Sequence, residues 1–336
     1  MTETVKPGAS GADAAGSSAA YWLGFDIGGT RLKSGVVRAD GTVEQATMVR
    51  TANLDFPAVF EAIRSATRTA VEASGRTSLR GVGVALPGIV ESTFGSRYLP
   101  GKVLGIEGFP LRRSLEDEFA VPVRCINDGA AATLAEWRFG AAQGVDNVVG
   151  LTLGTGVGSG VVVNGRPFET ANLGNGISVG HFTIDTGGNL CLCGNRGCAE
   201  TLVSAAAVAG RLREALTRHV PSSLAEQFSQ DPASITFESL IAGLDVGDRL
   251  CREILVRFVR DLGATIVTAI HAYNPSVVVL AGGPLDQAHH FLPDVQAYVD
   301  RYAFIVPKGR QVEIRRARLG NHAGVVGAVA LVMGES

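Results

Sequence analysis

Apolar and small residues alternate from Leu23 to Val37 in the order strand, tight glycine turn, strand. Apolar residues then recur at helical spacing from Ala58 to Ala73. Gly81 to Ala85 reads as a short buried strand ended by Pro87-Gly88. Leu111 to Phe119 predicts a helix, Val121 to Ile126 a strand ending at Asn127-Asp128, and Ala130 to Phe139 another helix. Strands alternating with helices predict an α/β protein whose ligands sit at the carboxyl ends of its strands.

The opening layout then returns. VVGLTLGTGVGSGVVV (Val148 to Val163) repeats the order of WLGFDIGGTRLKSGVV (Trp22 to Val37). Gly24, Gly28 and Thr30 of the first unit find counterparts in Gly150, Gly154 and either Thr155 or Gly156. Such a repeat predicts two related lobes. The second continues with helices expected over Thr201–Thr217 and Asp248–Tyr273, a break at Asn274-Pro275, and the strand SVVVLAGG from Ser276 to Gly283.

Length agrees with this division, because 336 residues exceed the usual single domain. The expected bounds are a disordered tail over 1–20, an N-terminal lobe over 21–130 and a C-terminal lobe over 131–336, whose last helix is free to return to the first lobe. The tail is small and polar, without the apolar segment of a signal peptide or membrane anchor. Elsewhere no run of about 18 apolar residues predicts a bilayer span. A net charge of -2 argues against a general nucleic-acid surface, and the Arg315, Arg316 and Arg318 cluster reads as a solvated strand edge. The expected setting is a reducing cytoplasm, where clustered cysteines bind metal more often than they form disulfides.

Both glycine turns lack the Gly-Lys-Ser/Thr ending of a P-loop, and strands rather than helices follow them, unlike a dinucleotide fingerprint. Either one alone is also an ordinary hairpin turn. Together they can offer backbone N–H groups and a threonine hydroxyl to phosphate oxygens from two sides, through Gly28, Gly29, Thr30 and Arg31 on one and Gly154, Thr155 and Gly156 on the other. Asp26, ending the first strand, suits a hydrated Mg2+ ion held between carboxylate, waters and phosphates.

Three of the five cysteines crowd into GHFTIDTGGNLCLCGNRGCAE, Gly180 to Glu200. His181, Cys191, Cys193 and Cys198 supply one nitrogen and three sulfurs, a tetrahedral set suited to zinc, with no position left open for catalysis. The competing readings are incidental thiols and a redox Cys-x-Cys pair. Cys125 and Cys251 lie in apolar segments and read as buried small hydrophobes. At Asn127-Asp128, the Asn can orient hydroxyls, and the Asp can accept the proton of an alcohol attacking a phosphoryl group. Taken alone, such a pair at a strand end is more often a helix cap than a base.

Asp26-Ile-Gly-Gly-Thr30, Asn127-Asp128, Leu-Gly-Thr-Gly156 and Gly180-His181…Cys-x-Cys-Gly-x-x-Gly-Cys-x-Glu200 occur in an order that resembles the ROK family of sugar kinases and repressors, over about residues 21–332. The resemblance implies a two-lobed, actin-like ATPase fold of the ribonuclease H type closing over sugar and ATP, commonly as a homodimer, with a homotetramer the alternative. It resolves Asp128 as the general base acting on a hydroxyl, expected to be the 6-OH, of a hexose. By the same resemblance Gly88, Asn127, Ser178, His181 and Glu200 join Asp128 around the sugar, while Gly282 and Gly283 border the adenosine. The metal would fix the sugar wall rather than perform chemistry.

The resemblance breaks at one position. Relatives of the glucose and N-acetylmannosamine type carry Glu two residues before the Gly-His pair, and here Ser178 stands there. Loss of that acceptor shifts the expected substrate toward a modified hexose, amino sugar or cyclitol, with glucose weakened by about 1–3 kcal/mol. Repressors of the same family carry a helix-turn-helix module ahead of the core, and residues 1–20 are too few to form one. A polyphosphate donor in place of ATP stays open, because phosphate hairpins do not read adenosine.

Overall fold

The computed structural model describes residues 20–51, 54–75, 78–91, 94–98, 105–169, 178–305, 307 and 309–334. The expected tail, save Ala20, lies outside them, as do Gly176 and Ile177 before Ser178. The first half contains β1 (Tyr21–Ile27), β2 (Arg31–Arg38), β3 (Val43–Arg50), α1 (Phe56–Ser74), β4 (Leu79–Leu86), β5 (Ile89–Glu91), β6 (Gly95–Tyr98), α2 (Leu111–Phe119), β7 (Val123–Asn127) and α3 (Asp128–Phe139). The second contains β8 (Val148–Leu153), β9 (Val157–Val163), β10 (Arg166–Pro167), α4 (Glu200–Val203), α5 (Ala205–Thr217), α6 (Ala225–Gln230), α7 (Phe237–Asp245), α8 (Arg249–Tyr273), β11 (Val277–Ala281), α9 (Leu292–Tyr302), β12 (Glu313–Arg316) and α10 (Ala323–Met333).

The sheets run β3-β2-β1-β4-β7 and β10-β9-β8-β11-β12, one plan used twice. In each, the glycine-turn hairpin is antiparallel, and the outer two strands continue parallel to its first strand. Each hairpin also pairs glycine with glycine across its strands, Gly24 with Gly35 and Gly150 with Gly160. Glycine pairs inside strands mark a close approach by another backbone element. Val325 of α10 fills the space over Gly24 and, with Val43 of β3, that over Gly35, while Thr133 of α3 fills that over Gly150 and Gly160. The two helices are therefore exchanged: α3 leaves the first sheet to pack on β8 and β9, and α10 leaves the second to pack on β1 and β4. They cross where Gly327 meets the backbone of Ala131.

The apolar faces close around this frame. Phe56, Val59 and Ile63 of α1 and Leu111 and Leu115 of α2 cover the first sheet. In the second half Phe237, Phe258 and Phe291 meet edge to face, with centroids 5.3 to 6.2 Å apart, and join α7, α8 and the start of α9. Cys125 and Cys251 are buried in these cores, and burial pushes both thiols up to about 12.

Several elements differ from the sequence expectation. The single helix expected over Thr201–Thr217 is two, parted at Ser204, whose backbone is extended and whose Oγ accepts from Ala207 N at 3.1 Å. The expected lobe boundary at residue 130 falls inside α3. Arg315 and Arg316 do sit on an edge strand, paired with Glu313 and Asp286 at 2.6 Å each. Among the described residues no helix is long and apolar enough to cross a membrane.

Candidate active site

The ends of β1, β4 and β7 lie side by side, since Asp26 is level with Ala85 and Leu86 with Asn127. Asn127 caps α3, its Oδ1 accepting from the amides of Gly129 at 2.9 Å and Ala130 at 3.2 Å. Its Nδ2 donates to Gly88 O at 2.9 Å and so fixes the turn after β4. The cap is thus Asn127, and Asp128, the first residue of α3, has an exposed side chain whose Oδ1 accepts from the Gly129 amide at 2.8 Å. A helix start favours negative charge at that place. Gly129 rests on Gly158 and Ser159 of β9, leaving no room for a Cβ, so Asp128 stands beside the second hairpin.

In the first hairpin the Gly28 amide donates to Arg31 O at 2.8 Å, leaving Gly29, Thr30 and Arg31 exposed at the tip. Lys33, level with Asp26 across the strands, lies 3.5 Å from its carboxylate. Burial raises the Asp26 pKa, and Lys33 opposes the rise. Gly324, in the first turn of α10, touches the same carboxylate, where a Cβ would fall 2.5 Å from Cγ. In the second hairpin Gly154 N donates to Gly156 O at 3.0 Å, and Thr155 is exposed. Gly282, at φ 105°, leaves no space for a side chain against the Leu153 backbone. Gly282 and Gly283 therefore follow β11 beside the second tip, and α10 and α3 join the two hairpins.

His181, Cys191, Cys193 and Cys198 converge with all four ligand atoms within 4.8 Å of one another. The loop closes through bridges between Thr183 and Cys198 and between Leu190 and Arg196. Gly197, at φ 67°, passes against the Asp185 carbonyl, where no side chain fits. Cys193 Sγ lies 3.6 Å from Cys198 Sγ, and Cys191 Sγ lies 3.6 Å from His181 Nδ1. Tetrahedral bonds of about 2.3 Å to zinc set sulfurs roughly 3.8 Å apart, so these spacings fit such an ion. Burial, then its neighbours Cys193 and Cys191, push the Cys198 thiol up to about 12, a cost that a bound cation would offset.

The turn holding Ser178 and His181 packs on β9. Val179 N donates to Ser159 Oγ at 2.9 Å, and Gly180 lies against the Val157 carbonyl. Glu200 reaches the same strand, with Oε2 accepting from Val157 N at 3.0 Å. Asp128, Ser178, His181 and Glu200 thus gather around the start of β9, while Asp26, Gly28, Gly29 and Thr30 stand across α10. Sequence reasoning missed Lys33, although a tight hairpin makes it the cross-strand partner of Asp26. It also missed Gly324, which has no local signal.

The same architecture occurs in solved structures. A glucokinase from Streptomyces griseus, in complex with glucose and AMPPNP, superposes with a TM-score of 0.77 at 26% identity, covering 94% of this chain and 99% of that one. In sequence the chain is 32% identical to a glucokinase of Halalkalibacterium halodurans over 93% of its own length and 94% of that protein's. It is 30% identical to the Escherichia coli DNA-binding transcriptional dual regulator NagC over 75% of itself and 59% of that protein. Fold and relatives define a phosphotransferase of the carbohydrate-kinase class, built on the actin-like ATPase fold. The chain belongs to the ROK family, whose pattern spans residues 22–335.

Proposed function

We propose that the protein transfers the γ-phosphoryl group of ATP to a hydroxyl, expected to be the 6-OH, of a hexose or modified hexose. The observation that carries this reading is an exposed carboxylate, Asp128, opening a helix whose next residue lies against a glycine-tipped hairpin. Asp128 takes the hydroxyl proton as that oxygen bonds to the γ-phosphorus in line, and the bond to the ADP oxygen breaks. Gly28, Gly29, Thr30 and Arg31 face the phosphates from one side, Gly154, Thr155 and Gly156 from the other, and Gly282 and Gly283 border the adenosine. Asp26 would hold the Mg2+ ion through water, and the ion would neutralise charge on the phosphates. Gly88, Asn127, Ser178, His181 and Glu200 surround the sugar, with Asn127 held in place by Gly88 O.

His181, Cys191, Cys193 and Cys198 would bind one structural zinc ion, and a reducing cytoplasm would keep the thiols available to it. Ser178 in place of a carboxylate favours an amino sugar or cyclitol over glucose. Exposed Val256, Tyr302 and Phe304 leave apolar surface for assembly as a homodimer or homotetramer, a mass that light scattering reads directly. The competing reading is a sugar-responsive regulator, motivated by the likeness to NagC. An ADP-release screen over hexoses, amino sugars and cyclitols, with Asp128→Asn as control and polyphosphate as alternative donor, tests the kinase. No turnover with any acceptor, together with a gel shift on DNA, sinks it.

A further inference from the structure

The segment leaving the cysteine loop fastens both arms of the second hairpin. Glu200 Oε2 accepts from Val157 N at 3.0 Å, and the same carboxylate fills the space where a side chain on Gly156 would go. Ala205 N donates to Gly154 O at 2.9 Å, on the other arm. The segment begins at Cys198, whose carbonyl accepts from Thr201 Oγ1 at 2.8 Å. The remaining oxygen of Glu200, Oε1, lies 3.9 Å from Cys191 Sγ. Glu200 therefore has one oxygen on the hairpin and the other toward the thiol cluster.

From this continuity we infer that Glu200 is a positioning residue that couples occupation of the Cys3His site to the setting of the donor-phosphate hairpin. The inference rests on the proposed roles of residues 154–156 and of the metal cluster. A bound ion fixes Cys191 and Cys198 and with them the turn that carries Glu200. The carboxylate then holds the Val157 amide, so the free amides at the tip keep one orientation. Without the ion the turn is released, and the hairpin loses its outer anchor. Because the resemblance also puts Glu200 at the sugar, one carboxylate would touch the acceptor side, the donor side and the metal loop.

The test measures AMPPNP affinity by calorimetry, zinc content by mass spectrometry and amide exchange over residues 154–160. Wild type, Glu200→Ala and Glu200→Gln are each compared as isolated and after chelation. Glu200→Ala should keep one zinc per chain, lose protection at Val157 and bind AMPPNP about tenfold more weakly, equivalent to about 1.4 kcal/mol. Glu200→Gln retains an oxygen acceptor for Val157 and should recover most of that affinity. Chelation should weaken wild type by a similar factor, reversed by added zinc, and should weaken Glu200→Ala no further. Equal factors for chelation in wild type and Glu200→Ala overturn the coupling, as does wild-type affinity in Glu200→Ala. If Glu200→Ala does not fold, exchange in wild type decides, since Val157 protection unchanged by chelation refutes the inference. Wild type that binds no AMPPNP refutes ATP as the donor instead, while the exchange result still judges the coupling.

Discussion

The two halves share a sheet order, a glycine-paired hairpin and a helix donated by the other half, yet they differ in where their charges come from. The first hairpin carries its own carboxylate, Asp26, neutralised in part by Lys33 on the facing strand. The second has no acid in its strands and borrows Glu200 from the segment after the cysteine loop. The exchanged helices differ likewise. α3 opens with Asp128, whereas α10 is preceded by Gly320-Asn321-His322, without a carboxylate. One backbone plan is thus used twice, with the charged groups set differently around its two glycine turns.

The sharpest test of that division is Asp128→Asn. It should lower kcat by about 10^2–10^4-fold while AMPPNP binding is retained, because the proposed mechanism makes Asp128 the base and gives it no contact with the nucleotide. Steady-state turnover alongside calorimetry checks both parts. Next come the paired grooves. Gly24→Ala and Gly150→Ala should each cost about 1–3 kcal/mol in urea denaturation. Gly24→Ala should cost more, because its Cβ meets the Val325 backbone, whereas that of Gly150 meets the Thr133 side chain. Equal losses would mean the halves tolerate crowding alike.

Ser178→Glu bears on the second half alone. It should raise kcat/KM for glucose about tenfold, by restoring an acceptor for a sugar hydroxyl. The smallest effect concerns Asp26→Asn. Because burial raises the Asp26 pKa, its stabilising contribution is present at low pH and is lost as pH rises from the ordinary carboxylate range through the raised value. The melting temperature of the variant relative to wild type should therefore improve between pH 3 and pH 7, even as MgATP binding weakens. A constant difference across that range would show that Asp26 carries no special burden.

Much of this arrangement was legible because it is local. The helix over Leu111–Phe119 and both hairpins are written in apolar spacing and glycine placement, and the convergence of His181, Cys191, Cys193 and Cys198 in four residues of the right kind. The break at Ser204 was not legible, since an alanine-rich stretch reads as continuous helix until Ala205 N is drawn to Gly154 O. Nor was the docking of α10. Its eleven residues are buried on nearly every side, so no apolar stripe says which sheet receives it. The partnership of Glu200 with Val157 joins positions 43 residues apart, beyond what a motif records.

The exchange of helices has a consequence for how the chain is made. The groove over β1 and β4 is closed by residues 323–333, which are made long after the strands they cover. At synthesis rates of about 5–20 residues per second the N-terminal sheet must wait many seconds with its glycine face uncovered. Nascent chains should therefore lean on chaperones until α10 emerges, and truncation before Ala323 should harm the sheet at the opposite end of the sequence.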